Sequence, residues 1–93
     1  MSMKILEVKI VKTESEKVLA RADIHFEGFW LKGFKVIKGK EANKEYVTPP
    51  SYKAGPYWRE LFHTDNQDDW QEIHRRILQD YNIYLMNQTI EEN

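Results

Sequence analysis

The chain has 93 residues, enough for one domain and too few for two separate cores. Apolar residues make up 41% and charged residues 31%, which excludes a wholly disordered chain. There is no cysteine, so disulfides, thiolate metal sites and cysteine nucleophiles are excluded. The first ten residues carry an early lysine and a short apolar run interrupted by charges, which indicates neither a signal peptide nor a membrane span. We therefore expect a soluble, cytoplasmic protein with no membrane partner.

The charge is divided unevenly along the chain, although its formal net value is only −1. Residues 1–63 hold twelve Lys and Arg against eight Asp and Glu, a balance of +4. Residues 64–93 hold two against seven, a balance of −5. Ordinary solvated surface, with acids gathered at a helix start where the dipole favours them, is the simplest explanation of this division.

The first two predicted strands have one apolar and one polar face. Ile5 to Lys12 is the first, and the second runs from about Lys17 to Glu27 after a polar turn. Alternation with a period of two and one apolar face is typical of half-buried antiparallel strands. The apolar faces are Leu6, Val8 and Ile10 in the first strand, and Val18, Ala20, Ala22, Ile24 and Phe26 in the second.

The third predicted strand, Phe29 to Lys38, has apolar residues on both faces. Alternation places Trp30, Phe34 and Val36 on one face. The other face then carries Phe29, Leu31 and Ile37. A helix can cover only one face, and the rest of the chain is too short to cover the other. The pattern therefore predicts a homodimer whose interface contains Phe29, Leu31 and Ile37.

Two short strands and a helix complete the prediction. The fourth strand stops at Thr48 before Pro49 and Pro50, which cannot donate ladder hydrogen bonds. Residues 53–56 form a turn, and the fifth strand is Tyr57 to Phe62. A helix then runs from roughly Asp68 to Tyr81 or Tyr84, with Asn82 as a possible end. Its apolar stripe is Trp70, Ile73, Ile77, Tyr81 and Tyr84, flanked by Leu78 and Leu85.

These elements predict an α+β fold, in which an antiparallel sheet of about five strands is followed by one C-terminal amphipathic helix. We assign residues 1–86 to a single domain and residues 87–93 to a frayed polar tail.

No catalytic or cofactor-binding motif is present. The three histidines lack the spacing and the partners of a zinc site, so we predict no metal. No phosphate-binding glycine loop and no nucleophile motif appears, and the paired acids lie at a helix start and in a polar tail. We predict that the protein is not an enzyme and needs no cofactor.

The remaining signal is a set of basic residues interleaved with aromatic ones between residues 30 and 59. Basic side chains neutralise phosphates, and aromatic faces can stack on bases. Alternation places Trp30, Phe34 and Trp58 in the core, which leaves Tyr52 and Tyr57 as the better candidates for exposure. Aromatic residues on a core face need no ligand to explain them.

The order and spacing of several short motifs resemble the stage V sporulation protein G (SpoVG) family. The motifs are Phe34-x-Val36-x-x-Gly39, Tyr46-Val47-x-x-Pro50-Ser51, Gly55 with Phe62, and Ile73, Ile77 and Tyr81 in the helix. The resemblance spans about residues 5–81. It implies a bacterial, cytoplasmic, intertwined dimer with a five-stranded sheet. It also implies a regulator, in a family associated with sporulation and septation in cell division, that binds DNA or RNA.

Two hypotheses about function follow. In the first, a SpoVG-like dimer binds DNA or RNA through phosphate contacts from Lys35, Lys38, Lys40, Lys53, Arg59, Arg75 and Arg76. In the second, the chain is a protein-interaction or structural module that keeps the fold without binding nucleic acid. The acidic helix and the net charge favour the second hypothesis. The sequence leaves open the choice between DNA and RNA, the target sequence and the biological process.

Overall fold

A computed structural model describes residues 4–39 and 44–92, with side chains as far as residue 88. The elements in chain order are β1 (Ile5–Lys12), β2 (Val18–Phe26), β3 (Phe29–Lys38), β4 (Glu45–Thr48), β5 (Ser51–Ala54), β6 (Tyr57–Glu60) and α1 (Gln67–Glu92). Every pairing between strands is antiparallel. The predicted α+β class, with strands followed by a C-terminal helix, is confirmed.

The strands form two sheets rather than one. A four-stranded sheet has the order β1-β2-β3-β4, and β5 and β6 form a separate two-stranded sheet. We call the β5–β6 hairpin the arm. The sequence predicted about five strands, and the structure has six among the described residues, because Lys53 and Ala54, assigned to a turn, pair with Trp58 and Tyr57. The turn is therefore confined to the two residues between β5 and β6, where Gly55 has a φ of +62°.

The core lies between one face of the four-stranded sheet and α1. The helix contacts β1 and β4, the two edge strands of the sheet. The buried residues from the sheet are Ala20, Ala22, Ile24, Phe26, Phe34, Val36 and Val47, and those from the helix are Ile73, Ile77 and Tyr81. The predicted apolar face of α1 is thus confirmed, and so is that of β2 from Ala20 to Phe26. The prediction that Val18 shares this face was wrong, because the register between β2 and β3 shifts between Val18 and Ala20, and Leu19 packs against the core instead. Within the described part of the chain, no helix lies on the opposite face of the sheet.

A one-residue irregularity changes which residues of β1 face the core. The register between β1 and β2 shifts between Ile5 and Glu7. Because such a shift reverses the alternation, Ile5 packs against the core and Leu6 is 43% exposed. The prediction that Leu6 shares the face of Val8 and Ile10 was therefore wrong.

Helix α1 has a defined start and is longer than predicted. The Asn66 side chain accepts a hydrogen bond from the backbone N–H of Asp68 at 2.9 Å, which identifies Asn66 as the N-cap. The helix has 26 residues, about 39 Å at 1.5 Å per residue. It passes through Asn82, so the prediction that it ends at Tyr81 or Tyr84 was wrong. It contains no stretch apolar enough to span a membrane, judged on the residues described. The boundary between a domain at 1–86 and a frayed tail at 87–93 stays a prediction.

His74 connects the helix to the edge strand β4. The backbone N–H of Val47 donates to His74 Nε2 at 3.4 Å, so this nitrogen must be unprotonated. Burial lowers the pKa of His74 below its usual value of 6.5. The unfolded chain therefore binds this proton more readily than the folded chain does.

We expect the free energy of unfolding to fall as the pH falls from about 7.5 to about 5.5, since protonation of His74 favours the unfolded chain. The stabilising contribution of neutral His74 is complete at pH values well above 6.5 and is lost progressively below it. The measurement is urea unfolding across this pH range. His74→Gln is the matched control, because its amide oxygen can accept a hydrogen bond without titrating. An equal pH dependence in both proteins would contradict this role of His74.

Candidate nucleic-acid interface

The face of the four-stranded sheet opposite α1 carries most of the polar side chains of the first three strands. We call it the outer face. Ladder pairing brings its residues side by side, with Lys9 opposite Asp23, Arg21 opposite Lys35, and His25 between Glu7 and Trp30. An antiparallel sheet with one face packed and the other solvated is a common arrangement. Here the solvated face combines cations with an aromatic ring.

A β-bulge at Gly33 determines which residues of β3 belong to the outer face. Ala22 pairs with Phe34 while Ile24 pairs with Leu31, so β3 contains one extra residue between these pairs. Gly33 has a φ of +102°, which residues other than glycine rarely adopt. The bulge reverses the alternation before Phe34.

The bulge overturns the predicted faces of β3. Leu31 packs against the core, whereas Trp30 lies on the outer face and is 41% exposed. Phe29 pairs with Phe26 at the open end of the core face, and only Ile37 of the three predicted interface residues stays opposite the core. Phe29, Leu31 and Ile37 therefore do not form one surface. The face assignment was wrong, and dimerisation itself stays a prediction.

Asp23 holds the bulge in place. The carboxylate is on the outer face, yet the residue is only 3% exposed. Its Oδ1 accepts a hydrogen bond from the Gly33 backbone N–H at 3.1 Å, and its Oδ2 accepts one from Arg21 Nη2 at 3.2 Å. A buried carboxylate needs such partners, because an unpaired one is strongly destabilising. The extra residue of the bulge thus has its amide satisfied by a charged acceptor.

A shallow recess surrounds this carboxylate. It has a volume of about 140 Å³ and is lined by Lys9, Asp23, Trp30 and Lys32. Neither Lys9 nor Lys32 forms an ion pair with another described residue. The Trp30 ring stacks on His25 with centroids 4.5 Å apart and planes 2° from parallel. The recess therefore places two uncompensated cations beside a fixed aromatic ring.

Lys35 links the outer face to the arm. Its Nζ lies 5.1 Å from the centre of the Trp58 ring, within range of a cation–π interaction. Trp58 is 63% exposed and is the ladder partner of Lys53, so Lys53 lies on the same face of the arm as this ring. The prediction that Trp58 faces the core was wrong. Arg59 pairs with Tyr52 on the other face of the arm.

The structure separates Lys38, another predicted contact residue, from this surface. Lys38 lies on the side of the sheet opposite Lys35, because the two are three residues apart in one strand, and it pairs with Glu45. Lys40 lies outside the described residues. The six predicted residues that the structure describes therefore do not form one patch.

The two arginines of α1 are compensated within the helix. Arg75 donates to Glu72 at 2.6 Å, and Arg76 donates to Asp80 at 3.4 Å. The hydrogen bond to Arg75 lowers the pKa of Glu72, and the same bond raises the pKa of Arg75. Both arginines thus have carboxylate partners before any ligand is bound.

The sequence prediction left Lys9, Arg21 and Lys32 out of the phosphate contacts, although it counted Lys32 among the basic residues interleaved with aromatic ones. It also placed Trp30 in the core. The available signal was a glycine inside a strand pattern, which often marks a bulge. Had Gly33 been interpreted in this way, Trp30 and Lys32 would have been assigned together to the polar face of β2.

A larger cleft of about 350 Å³ lies between the end of the arm and the start of α1. Phe62 and Trp70 line it together with Glu60, and none of the described residues that line it is a lysine or an arginine. This composition does not suit a phosphate group. No cluster of three metal-ligating side chains occurs among residues 4–39 and 44–92.

The family model described as SpoVG matches residues 3–83, most of the chain. No curated protein matches the chain.

We expect Asp23→Ala to reduce the free energy of unfolding by about 1–3 kcal/mol, because it leaves the Gly33 amide without its acceptor. Asp23→Asn is the matched control. Its amide oxygen can still accept the Gly33 N–H, so we expect a smaller loss, from the weakened bond to Arg21. The measurement is urea unfolding of the three proteins. Equal losses in the two variants would contradict the assigned role of the Asp23–Gly33 hydrogen bond.

Proposed function

The chain belongs to the SpoVG family, and we propose that it is a dimeric regulatory protein, not an enzyme, that binds DNA or RNA through phosphate contacts. The observation that carries the proposal is the composition of the outer face. This face is not covered by α1, and it carries cations that have no carboxylate partner among the described residues.

The charge balance of the outer face supports phosphate binding. Lys9, Arg21, Lys32 and Lys35 stand against Glu7 and Asp23, so four positive and two negative charges give +2. Cations placed together on one face attract phosphates even when the net charge of the whole protein is near zero. The acids of α1 lie on an element packed against the opposite face, where they do not interrupt this surface.

The arm supports the dimer. A two-stranded hairpin is marginally stable in water by itself, and this one makes no ladder with the four-stranded sheet. It nevertheless exposes Tyr57 on one face and Trp58 on the other, and Leu61 directly follows it; each of the three is more than 60% exposed. Neighbouring apolar side chains exposed to this degree are typical of an interaction surface. A second copy of the chain, bringing the same arm, would cover them by two-fold symmetry.

A protein-interaction module is the second candidate function. The cleft lined by Phe62, Trp70 and Glu60 favours it, since its aromatic side chains and carboxylate suit an apolar or basic group of a protein partner. This candidate places the contact at the start of α1 and leaves the outer face without a ligand. The two candidates therefore differ in the surface whose substitution abolishes function.

We expect binding of duplex DNA and single-stranded RNA to weaken steeply with salt, since each neutralised phosphate contributes a slope of about −0.9 on a log–log plot for duplex DNA. Lys9→Ala with Lys32→Ala should reduce the slope by about two and weaken different sequences about equally. The control is Lys12→Ala with Lys17→Ala, which removes the same charge outside the recess. The measurement is a binding titration across a salt series. No binding at about 50 mM salt would favour the interaction module.

We expect the protein to sediment at about twice its 11.2 kDa monomer mass. Tyr57→Glu with Leu61→Glu should convert it to a monomer, because charged groups on the arm cannot be buried against a second copy without partners. Phe29→Glu, at the surface predicted from the sequence, should leave the dimer intact. A monomeric wild-type protein would contradict the dimer, and a monomeric Phe29→Glu variant would move the interface to β3.

A further inference from the structure

Trp30 has the geometry of a stacking platform. One side of its ring is held against His25 in parallel contact, and 41% of the residue remains exposed on a sheet face without a covering helix. A ring that is already held in one orientation loses little conformational freedom when a second ring stacks on it. Stacking on aromatic side chains is a general way of binding bases, because every base has a flat face.

The groups beside Trp30 suit the backbone of a nucleotide chain. Lys9 and Lys32 line the same recess as the indole ring. Asp23, the carboxylate in this recess, is already bonded to the Gly33 amide and to Arg21. The two lysines are therefore left for an external anion, next to a ring that can accept a base.

The rest of the described chain offers little for reading a duplex. Proteins often place a helix in the major groove for this purpose. Here α1 has Asp68 and Asp69 in its first turn, and its two arginines are paired with carboxylates. A duplex also hides the faces of its bases, so it cannot use an exposed indole unless a base is unstacked.

We propose that the outer face binds single-stranded nucleic acid, with one base stacked on Trp30 and adjacent phosphates contacting Lys9 and Lys32. This inference rests on the proposed function and makes it more specific, because it names the strand state of the ligand and the base-contacting residue. His25 is a positioning residue that holds the Trp30 ring. The proposal covers single-stranded RNA and single-stranded DNA alike, since stacking and phosphate contacts are common to both.

The test is fluorescence anisotropy with labelled oligonucleotides and the full chain. The probes are an oligouridylate, an oligothymidylate and a DNA duplex of the same length. We expect the wild type to bind the single strands more tightly than the duplex. Trp30→Ala should weaken single-strand binding by about tenfold and leave duplex binding unchanged. Trp30→Phe keeps an aromatic face and should retain most of the affinity.

Phe29→Ala is the matched control, because Phe29 is a neighbouring exposed aromatic residue on the opposite face of the strand. We expect its affinity to equal that of the wild type. If Trp30→Ala does not fold, oligonucleotide quenching of tryptophan fluorescence in a Trp58→Phe variant gives a second measurement. The quenching should be absent when Trp30→Phe is added.

The outcomes separate this inference from the proposed function. Duplex binding as tight as single-strand binding, or an unchanged affinity in Trp30→Ala, would overturn the inference and leave nucleic-acid binding in place. Failure to bind any of the three probes would overturn both. A preference for oligouridylate or for oligothymidylate identifies the ligand as RNA or as DNA. Such a preference supports the inference if Trp30→Ala weakens binding of the preferred strand.

Discussion

The hydrogen bond between the Asp23 carboxylate and the Gly33 amide is the contact on which the two faces of the sheet depend. It lies where β3 contains one residue more than β2, so the alternation of β3 reverses on either side of it. With this bulge, Leu31 contributes to the core and Trp30 is displayed on the outer face. Without it, a sheet of the same sequence would bury an indole and expose a leucine. A buried carboxylate is stable here because both of its oxygens have donors.

The helix completes this division by covering only one face. Its apolar stripe packs on the sheet, while its own acids compensate its arginines along its length. Lys9, Arg21, Lys32 and Lys35 have few such partners and lie on the other face. The uneven charge along the sequence, +4 before residue 64 and −5 after it, therefore corresponds to two different structural elements. Separation of charge between elements is what allows a protein of net charge −1 to present a cationic surface.

The sequence alone predicted which residues face the core wherever its periodicity is unbroken. The face of β2 from Ala20 to Phe26 and the helix stripe from Trp70 to Tyr84 follow periods of two and 3.6, and both were predicted correctly. The predicted faces were wrong wherever one extra residue in a strand shifted its register with the neighbouring strand. Such irregularities exposed Leu6 and Trp30 and placed Leu31 in the core, because a single insertion moves every residue on one side of it to the opposite face.

The predictions of the helix end and of the arm were wrong for a different reason. Asn82 can end a helix, but Tyr84 beyond it still packs against the core, so tertiary contact favours continuation over a weak local signal. In the arm, Trp58 alternates like a core residue although no helix covers that hairpin. Period-two patterns report which residues share a face and cannot say what covers the face. Lys35 of the sheet contacts Trp58 of the arm, so a partner that covered Trp58 would lie next to one edge of the outer face. If two copies associate through the arm as proposed above, and if this contact differs between the free and the associated chain, then association and ligand binding at that edge are energetically coupled, and each affects the other by the same factor.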